Sequence, residues 1–364
     1  MTGRRLIVLV ILALLAIAGA VWLSSERDLR RGESAGSPVF PALSGALNDI
    51  TEVRLVKAGG KAAVTLKRGE KHWQVVERSL YPADGGKLRK LLIDLAELKI
   101  VEQKTSNPEN YAVLGVEDVS APTATGVRLE LSGAPQPIAL IVGKSAGGRS
   151  SYARAGELAE SIVVTPALTL DTEPKNWLDR VVIDIAANRV QQASISSGKG
   201  AAYIALRESR VQTDLTVRDL PKGRELASPT AANPVASALS GLSFEDVRAV
   251  PAEEQWGTDA AHAEYRLFDG TMLEITGRKD GEQHWIRLTA RFDDAQQQRF
   301  VVPPAAEKQT PTAPASPPVS EPTPEETRSQ AQVLAARFAG WAYEIPGYQY
   351  DALFRPLDEL LKST

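Results

Sequence analysis

The chain has 364 residues, 24% of them charged, and a formal net charge of −3. Its Lys and Arg residues are scattered along the sequence, so there is no basic footprint for nucleic acid. It contains no cysteine, which excludes disulfides, thiolate catalysis, iron–sulfur clusters and cysteine-ligated zinc.

Leu6 to Leu23 are eighteen residues without a charge, preceded by Arg4 and Arg5. A helix of that length is about 27 Å long, close to the hydrocarbon thickness of a bilayer. Ala18-Gly19-Ala20 fits a signal-peptide cleavage site, but the apolar run continues through Val21, Trp22 and Leu23 with no polar region before the triplet. Residues 1–23 therefore read as an uncleaved signal anchor. Two arginines precede the span and Arg27, Arg30 and Arg31 follow it, so local charge does not set its orientation. The short basic lead-in is typical of exported chains, so the bulk of the chain is expected outside the cytoplasm. Residues 24–48 are a polar juxtamembrane linker.

A first module is expected over 49–185. Ile50 to Val56, AAVTLKR and HWQVVE alternate apolar and polar residues between Gly-rich turns, the pattern of antiparallel strands. Asp84 offers an N-cap, and Leu88, Leu91, Leu92 and Leu95 fall at i, i+3, i+4 and i+7, which predicts one amphipathic helix from Gly86 to Leu98 on that sheet. Further strands are Val127 to Leu131, Ile138 to Gly143, SSYARA and SIVVT, and Trp177-Leu178-Asp179 closes the module. A second module over 186–364 repeats the order. Strands at Val190 to Ser196 and Ala202 to Arg207 precede a helix from Pro234 to Leu242 capped by Asn233, with Val235, Ala238, Leu239 and Leu242 at the same spacings. Strands recur at AEYRLFDG, MLEITGR, HWIRLTARF and RFVVP. The fold class is thus α+β: a transmembrane helix, then two duplicated modules of antiparallel sheet with one packed helix each. A Pro-rich stretch, 303–327, reads as a disordered insertion in the second module, before a helix from Glu326 to Phe338.

Catalytic motifs fail on context. Gly143-Lys144-Ser145 resembles the end of a phosphate-binding loop, but the glycine required five positions earlier is Ile138, and a tight hairpin turn is the simpler reading. Gly32-Glu33-Ser34-Ala35-Gly36 matches a serine-nucleophile pattern inside the linker, with neither strand nor helix beside it. His72, His262 and His284 lack metal-ligand spacing and read as sheet-surface residues. Glu253-Glu254 and Asp293-Asp294 read as solvated loop charges. No catalytic, cofactor-binding or metal-binding residue emerges.

Several motifs in succession carry a family resemblance. VFPAL, the hairpin with Trp73, LYPAD, KLRKLLIDLAELKIVEQKT, NPENYAVLGVED, IALIVGKS, SSYARA and WLDRVVIDI together resemble the bacterial domain-of-unknown-function 4340 (DUF4340) family. The likeness runs from Val39 to Ile195 and more loosely beyond, and the Pro-rich insertion departs from it. It implies a membrane-anchored envelope protein, often encoded beside the ATPase, permease and gliding-motility-type subunits of ABC-2-like transporters, with no catalytic residue or cofactor to carry over. The expectation is a non-enzymatic accessory subunit whose partners are the inner membrane and the permease and ATPase subunits of such a transporter. No nucleic acid and no identifiable small-molecule ligand are implied. Trp73, Tyr111, Tyr152 and Trp177 are the expected partner contacts, because aromatic anchors dominate interfaces; the other reading of each is plain core. Two further readings are an envelope glycan- or lipid-binding module, which requires an aromatic-lined groove, and an envelope hydrolase, which requires a perturbed carboxylate pair in a cleft.

Overall fold

A computed structural model of the protein describes residues 35–156, 158–198, 200–251, 254–257, 259–300 and 323–363. The apolar run Leu6–Leu23 and the Pro-rich residues 303–322 lie outside the described residues. Among the described residues, no helix is long and apolar enough to cross a membrane. The architecture is α+β, mostly antiparallel sheet with few helices. Two compact units, Met1–Asp179 and Arg180–Thr364, make up the chain; the sequence pattern places that division after residue 185.

In the first unit, alternation sends Val53 and Leu55 of strand β1 (Glu52–Lys57) into the core at 0% exposure, while Glu52 and Arg54 between them keep contact with solvent. Strands β2 (Lys61–Arg68), β3 (Trp73–Val75), β4 (Tyr81–Pro82), β5 (Lys99–Gln103), β6 (Val127–Ser132), β7 (Ile138–Gly147), β8 (Ser150–Ala155) and β9 (Ser161–Thr165) complete one antiparallel sheet. Its order is β4-β3-β2-β1-β6-β7-β8-β9-β5. A short helix α1 (Leu43–Ala46) precedes the sheet, and α2 (Gly85–Ala96) enters after β4. Helix α2 begins where the Asp84 carboxylate accepts from the Gly86 and Lys87 N–H groups at 2.8 and 2.9 Å. Its leucine stripe, Leu88, Leu91, Leu92 and Leu95, is buried, an upper limit of roughly 6–12 kcal/mol of apolar transfer before chain entropy is subtracted.

The second unit builds a sheet in the order β13-β12-β11-β16-β17-β18-β19-β15. Its strands are β11 (Val190–Ser196), β12 (Tyr203–Leu206), β13 (Thr216–Arg218), β15 (Asp246–Ala249), β16 (Ala261–Leu267), β17 (Thr271–Asp280), β18 (Gln283–Phe292) and β19 (Trp341–Glu344). A separate pair joins β10 (Val181–Ile183) to β14 (Leu242–Ser243). The helices are α4 (Asn233–Ser237), α5 (Asp294–Arg299), α6 (Pro324–Phe338) and α7 (Gly347–Leu353). With β4 set aside, the first sheet reads β3-β2-β1-β6-β7-β8-β9-β5, so both sheets follow the same path through the chain, position by position. They differ in the connection to the penultimate strand. Residues 156–160 suffice between β8 and β9, whereas residues 293–340 join β18 to β19. Strand β18 pairs with β17 along its whole length but with β19 only at Trp285 and Ile286. Helix α6 packs along β18 and reaches β17.

Several expectations need correction. The second helix stops at Ser237, because Gly241 turns left-handed at φ 61° and Leu242 is drawn into pairing with β10. Asn233 does not cap it. Its amide accepts from the Leu215 N–H at 3.0 Å and donates to Asp214 at 2.7 Å, tying down the preceding loop. RFVVP does not open as a strand: Arg299 ends α5, and residues 301–322 lie outside the described ones. Asp293 is no loop charge but the cap of α5, accepting from the Ala295 and Gln296 N–H groups. Residues 324–327, assigned to the insertion, form the first turn of α6, where Thr323 and Glu326 make a reciprocal capping box.

Gly143-Lys144-Ser145 is likewise no hairpin turn. It lies inside β7, whose register shifts there, and the turn follows at Gly148-Arg149. The loop from Asn107 through helix α3 (Tyr111–Leu114) to Glu117 rests on this stretch. A Cβ at Gly143 would lie 2.4 Å from the Leu114 carbonyl oxygen, and one at Gly126 would lie 2.2 Å from that of Gly115. The Lys144 ammonium donates to the Ala112 and Val113 carbonyls at 3.3 and 2.9 Å, satisfying the end of α3. Gly143→Ala is therefore expected to cost about 1–3 kcal/mol by overpacking. Gly45→Ala, which meets open space in α1, should be neutral or stabilising by up to about 1 kcal/mol. Denaturant unfolding followed by tryptophan fluorescence measures both, and equal midpoints for the two variants would refute the close-approach role of Gly143.

Candidate functional site

The four aromatic residues singled out by type fall in the first unit, in two places. Trp177 is 1% exposed. Its indole N–H donates to the Asp171 carbonyl at 2.7 Å, and the Lys87 ammonium sits 4.4 Å from its ring centroid. Lys87 also pairs with the Asp171 carboxylate at 3.0 Å and donates to the Asn176 carbonyl at 2.8 Å. Burial opposes ionisation of Asp171, but bonds from the Glu173 N–H, Lys87 and Asn176 outweigh it and hold the carboxyl below its ordinary range. Trp73 is half-buried beneath the Arg68 guanidinium. The Trp73 and Trp177 carbonyls accept from the Ala83 and Asp84 N–H groups, so the chain segments that carry both rings are pinned to the start of α2.

Tyr111 and Tyr152 come together in a second cluster with Leu114, Val116 and Ile141. Tyr111 is 7% exposed, and its hydroxyl donates to the Ala159 carbonyl. Arg154, itself buried, stacks on Tyr111 at 4.9 Å and donates to the Val116 and Leu158 carbonyls at 2.9 and 3.2 Å. Trp177 and Tyr111, expected as partner contacts or plain core, are thus placed in the core. Their aromatic area is already spent on the core of their own unit, and Trp73 and Tyr152 are only partly accessible.

Sequence reasoning missed the open face of the second sheet. Register aligns two rows of side chains across its central strands. One row is Ser194, Glu264, Glu274 and Thr289; the other is Ser196, His262, Thr276 and Arg287. Glu264 and Glu274 stand directly opposite each other, a like-charge pair that would be unfavourable alone. Arg291 bridges them, at 3.4 Å from Glu264 and 2.8 Å from Glu274. Above these rows lie two clefts of about 470 and 440 Å³, and His262, Glu274 and Thr276 line both. The second cleft is walled by Trp256, Trp341 and Arg287, at the end where β18 parts from β19.

The Trp256 wall is held by Glu254, which the sequence suggested was a solvated charge. Its carboxylate accepts from both Arg248 Nη atoms at 3.0 and 2.8 Å and from the Trp256 indole N–H at 2.8 Å. Arg287 donates to the Glu254 carbonyl at 2.8 Å and lies 5.6 Å from the Trp256 ring centroid. Trp256 packs with Val250, Ala260, Ala342 and Trp285 beneath the loop. Among the described residues, no group of three or more acidic or histidine side chains is placed to hold a metal ion. The face combines flat aromatic surface, a guanidinium, an imidazole, carboxylates and hydroxyls, groups able to bind a polar surface.

The bonds from Arg248 and Trp256 hold the Glu254 carboxyl at about 2, against an ordinary value of 4.5. A depressed carboxylate contributes stability above its unfolded pKa and loses it as pH falls through the folded value, here from about 4.5 down to about 2. Glu254→Gln should lower stability at neutral pH by less than about 1 kcal/mol, because the pair is open to solvent. It should also flatten the loss between neutral pH and about pH 3. Urea midpoints of the two proteins across that range test this, and parallel curves would refute it.

The family described as domain of unknown function (DUF4340) matches the chain over residues 73–269. No curated protein matches it. No solved structure matches it either.

Proposed function

The chain belongs to the DUF4340 family, and from that premise we propose that it is a non-enzymatic accessory protein of the bacterial envelope. In this reading Leu6–Leu23 anchors it in the inner membrane, its two units are copies of one α+β module outside the cytoplasm, and it serves as an auxiliary subunit of an ABC-2-like transporter. It acts by protein contact with the extracytoplasmic part of that complex, whose permease and ATPase subunits are its partners. One observation carries the reading: the open face of the second sheet sets half-exposed Trp341 and Arg287 beside two adjoining clefts. Tryptophan and arginine in a desolvatable recess are the residues that dominate protein interfaces. The bridged Glu264–Arg291–Glu274 row supplies a fixed charge pattern at the rim for partner selection.

A second reading, an envelope glycan seated in the same place, is favoured by the pairing of Trp341 with Thr276, Thr289 and Glu274 in one cleft. An apolar ring face beside hydroxyl and carboxylate partners suits a sugar ring.

The two separate on purification. Full-length protein extracted from its native membranes in mild detergent is expected to carry the ATPase and permease of one transporter, identified by mass spectrometry. Trp341→Ala, with its fold checked by circular dichroism, should lower that recovery about tenfold or more, the loss of a hot-spot side chain. Recovery of the protein alone, with soluble glycan oligomers quenching its tryptophan fluorescence, would favour the second reading. Equal recovery with the folded variant would move the contact off this face.

A further inference from the structure

The first unit carries a feature that neither its core nor the open face of the second sheet uses. Residues 35–48 contain no charged side chain or histidine, and neither do residues 131–143. The fold brings these two runs together. They line a cleft of about 140 Å³ whose walls include Val39, Phe40, Leu43, Pro135 and Pro137. Pro41, Ala42, Pro135, Gln136 and Pro137 are exposed around it. Three of those five are prolines, which have no N–H to leave unsatisfied in a water-poor setting.

Position decides the occupant. The cleft begins four residues into the described chain, and only residues 24–34 separate Leu23 from Ala35. Eleven residues span at most about 40 Å in any conformation. If Leu6–Leu23 is anchored, this end of the unit is held within reach of the bilayer surface at a high effective concentration, so even a weak apolar contact is populated. We propose that the uncharged tip formed by Phe40–Leu43 and Ala134–Pro137 seats on the lipid surface, with the cleft taking apolar atoms of the interfacial layer. This rests on the anchored reading above. It assigns a lipid-facing end to the first unit and orients β7 away from the membrane, since Ile138 adjoins the tip and Gly147 ends the strand, about 30 Å farther along at the usual rise.

The absence of cysteine makes the test direct. Ala42→Cys, Gln136→Cys and Arg149→Cys are each made in the full-length chain and labelled with one environment-sensitive fluorophore. Each is then reconstituted into vesicles of phosphatidylethanolamine and phosphatidylglycerol, with or without bromine on the acyl chains. Seating to the usual interfacial depth predicts quenching of about twofold or more at Ala42→Cys and Gln136→Cys and none at Arg149→Cys. Protein that floats with the vesicles yet shows no quenching at either tip position overturns the proposal and leaves the anchor standing. Equal quenching at all three positions overturns the assignment of the tip. Failure to float with the vesicles overturns the anchor and the proposal together.

Discussion

Antiparallel register is the constraint on which this structure depends. In a strand the side-chain period is two, so slipping β16 by one residue against β17 would turn His262 and Glu264 inward and put Ala263 and Tyr265 outside. The burial of Ala263, Tyr265, Leu273 and Ile275, all at 3% exposure or less, holds the register. Everything on the open face follows from it: the two cross-strand rows, the Arg291 bridge between opposed glutamates, and the shared lining of the two clefts. The open face is the reverse side of a hydrophobic core and is positioned by it.

The same logic accounts for the motifs of the first unit. LYPAD supplies Asp84, which caps α2, and WLD returns along it, with the Asp179 N–H donating to the Pro82 carbonyl. NPENYAVLG folds a single helical turn onto β7, Gly143 leaves room for it, Lys144 satisfies two of its carbonyls and Arg154 satisfies that of Val116 just beyond. These residues were noticed as a succession of motifs because each lacks freedom. The freedom is lost to internal packing, so the motifs report architecture rather than chemistry.

The two sheets trace one path, yet they are used differently. In the first unit the segment Gly36–Val39 lies beside β5, trading backbone hydrogen bonds with Leu98 and Ile100. In the second, the extra length between β18 and β19 supplies α5 and α6, and α6 packs along β18 where β19 does not reach. That substitution of helix for strand opens the cleft beside Trp341. Two sheets of one strand order thereby present different faces through a difference in one connection, where added length costs little.

The sequence by itself determined the class and the local elements. Helix α2 and its cap were legible because periodicity of 3.6 and a capping aspartate are local signals, as were the strands that alternate strictly. Tertiary structure decided the rest. It shortened the second helix at Gly241, turned Asp293 from a loop charge into a cap, moved Gly143-Lys144-Ser145 from a turn into a strand, and buried Trp177 and Tyr111. Residue type alone did not separate core from interface there, because an aromatic ring serves both equally well. The open face was invisible for a different reason. Ser196, His262, Thr276 and Arg287 are neighbours only across four strands, and no spacing along one chain encodes which strand pairs with which, or in what register.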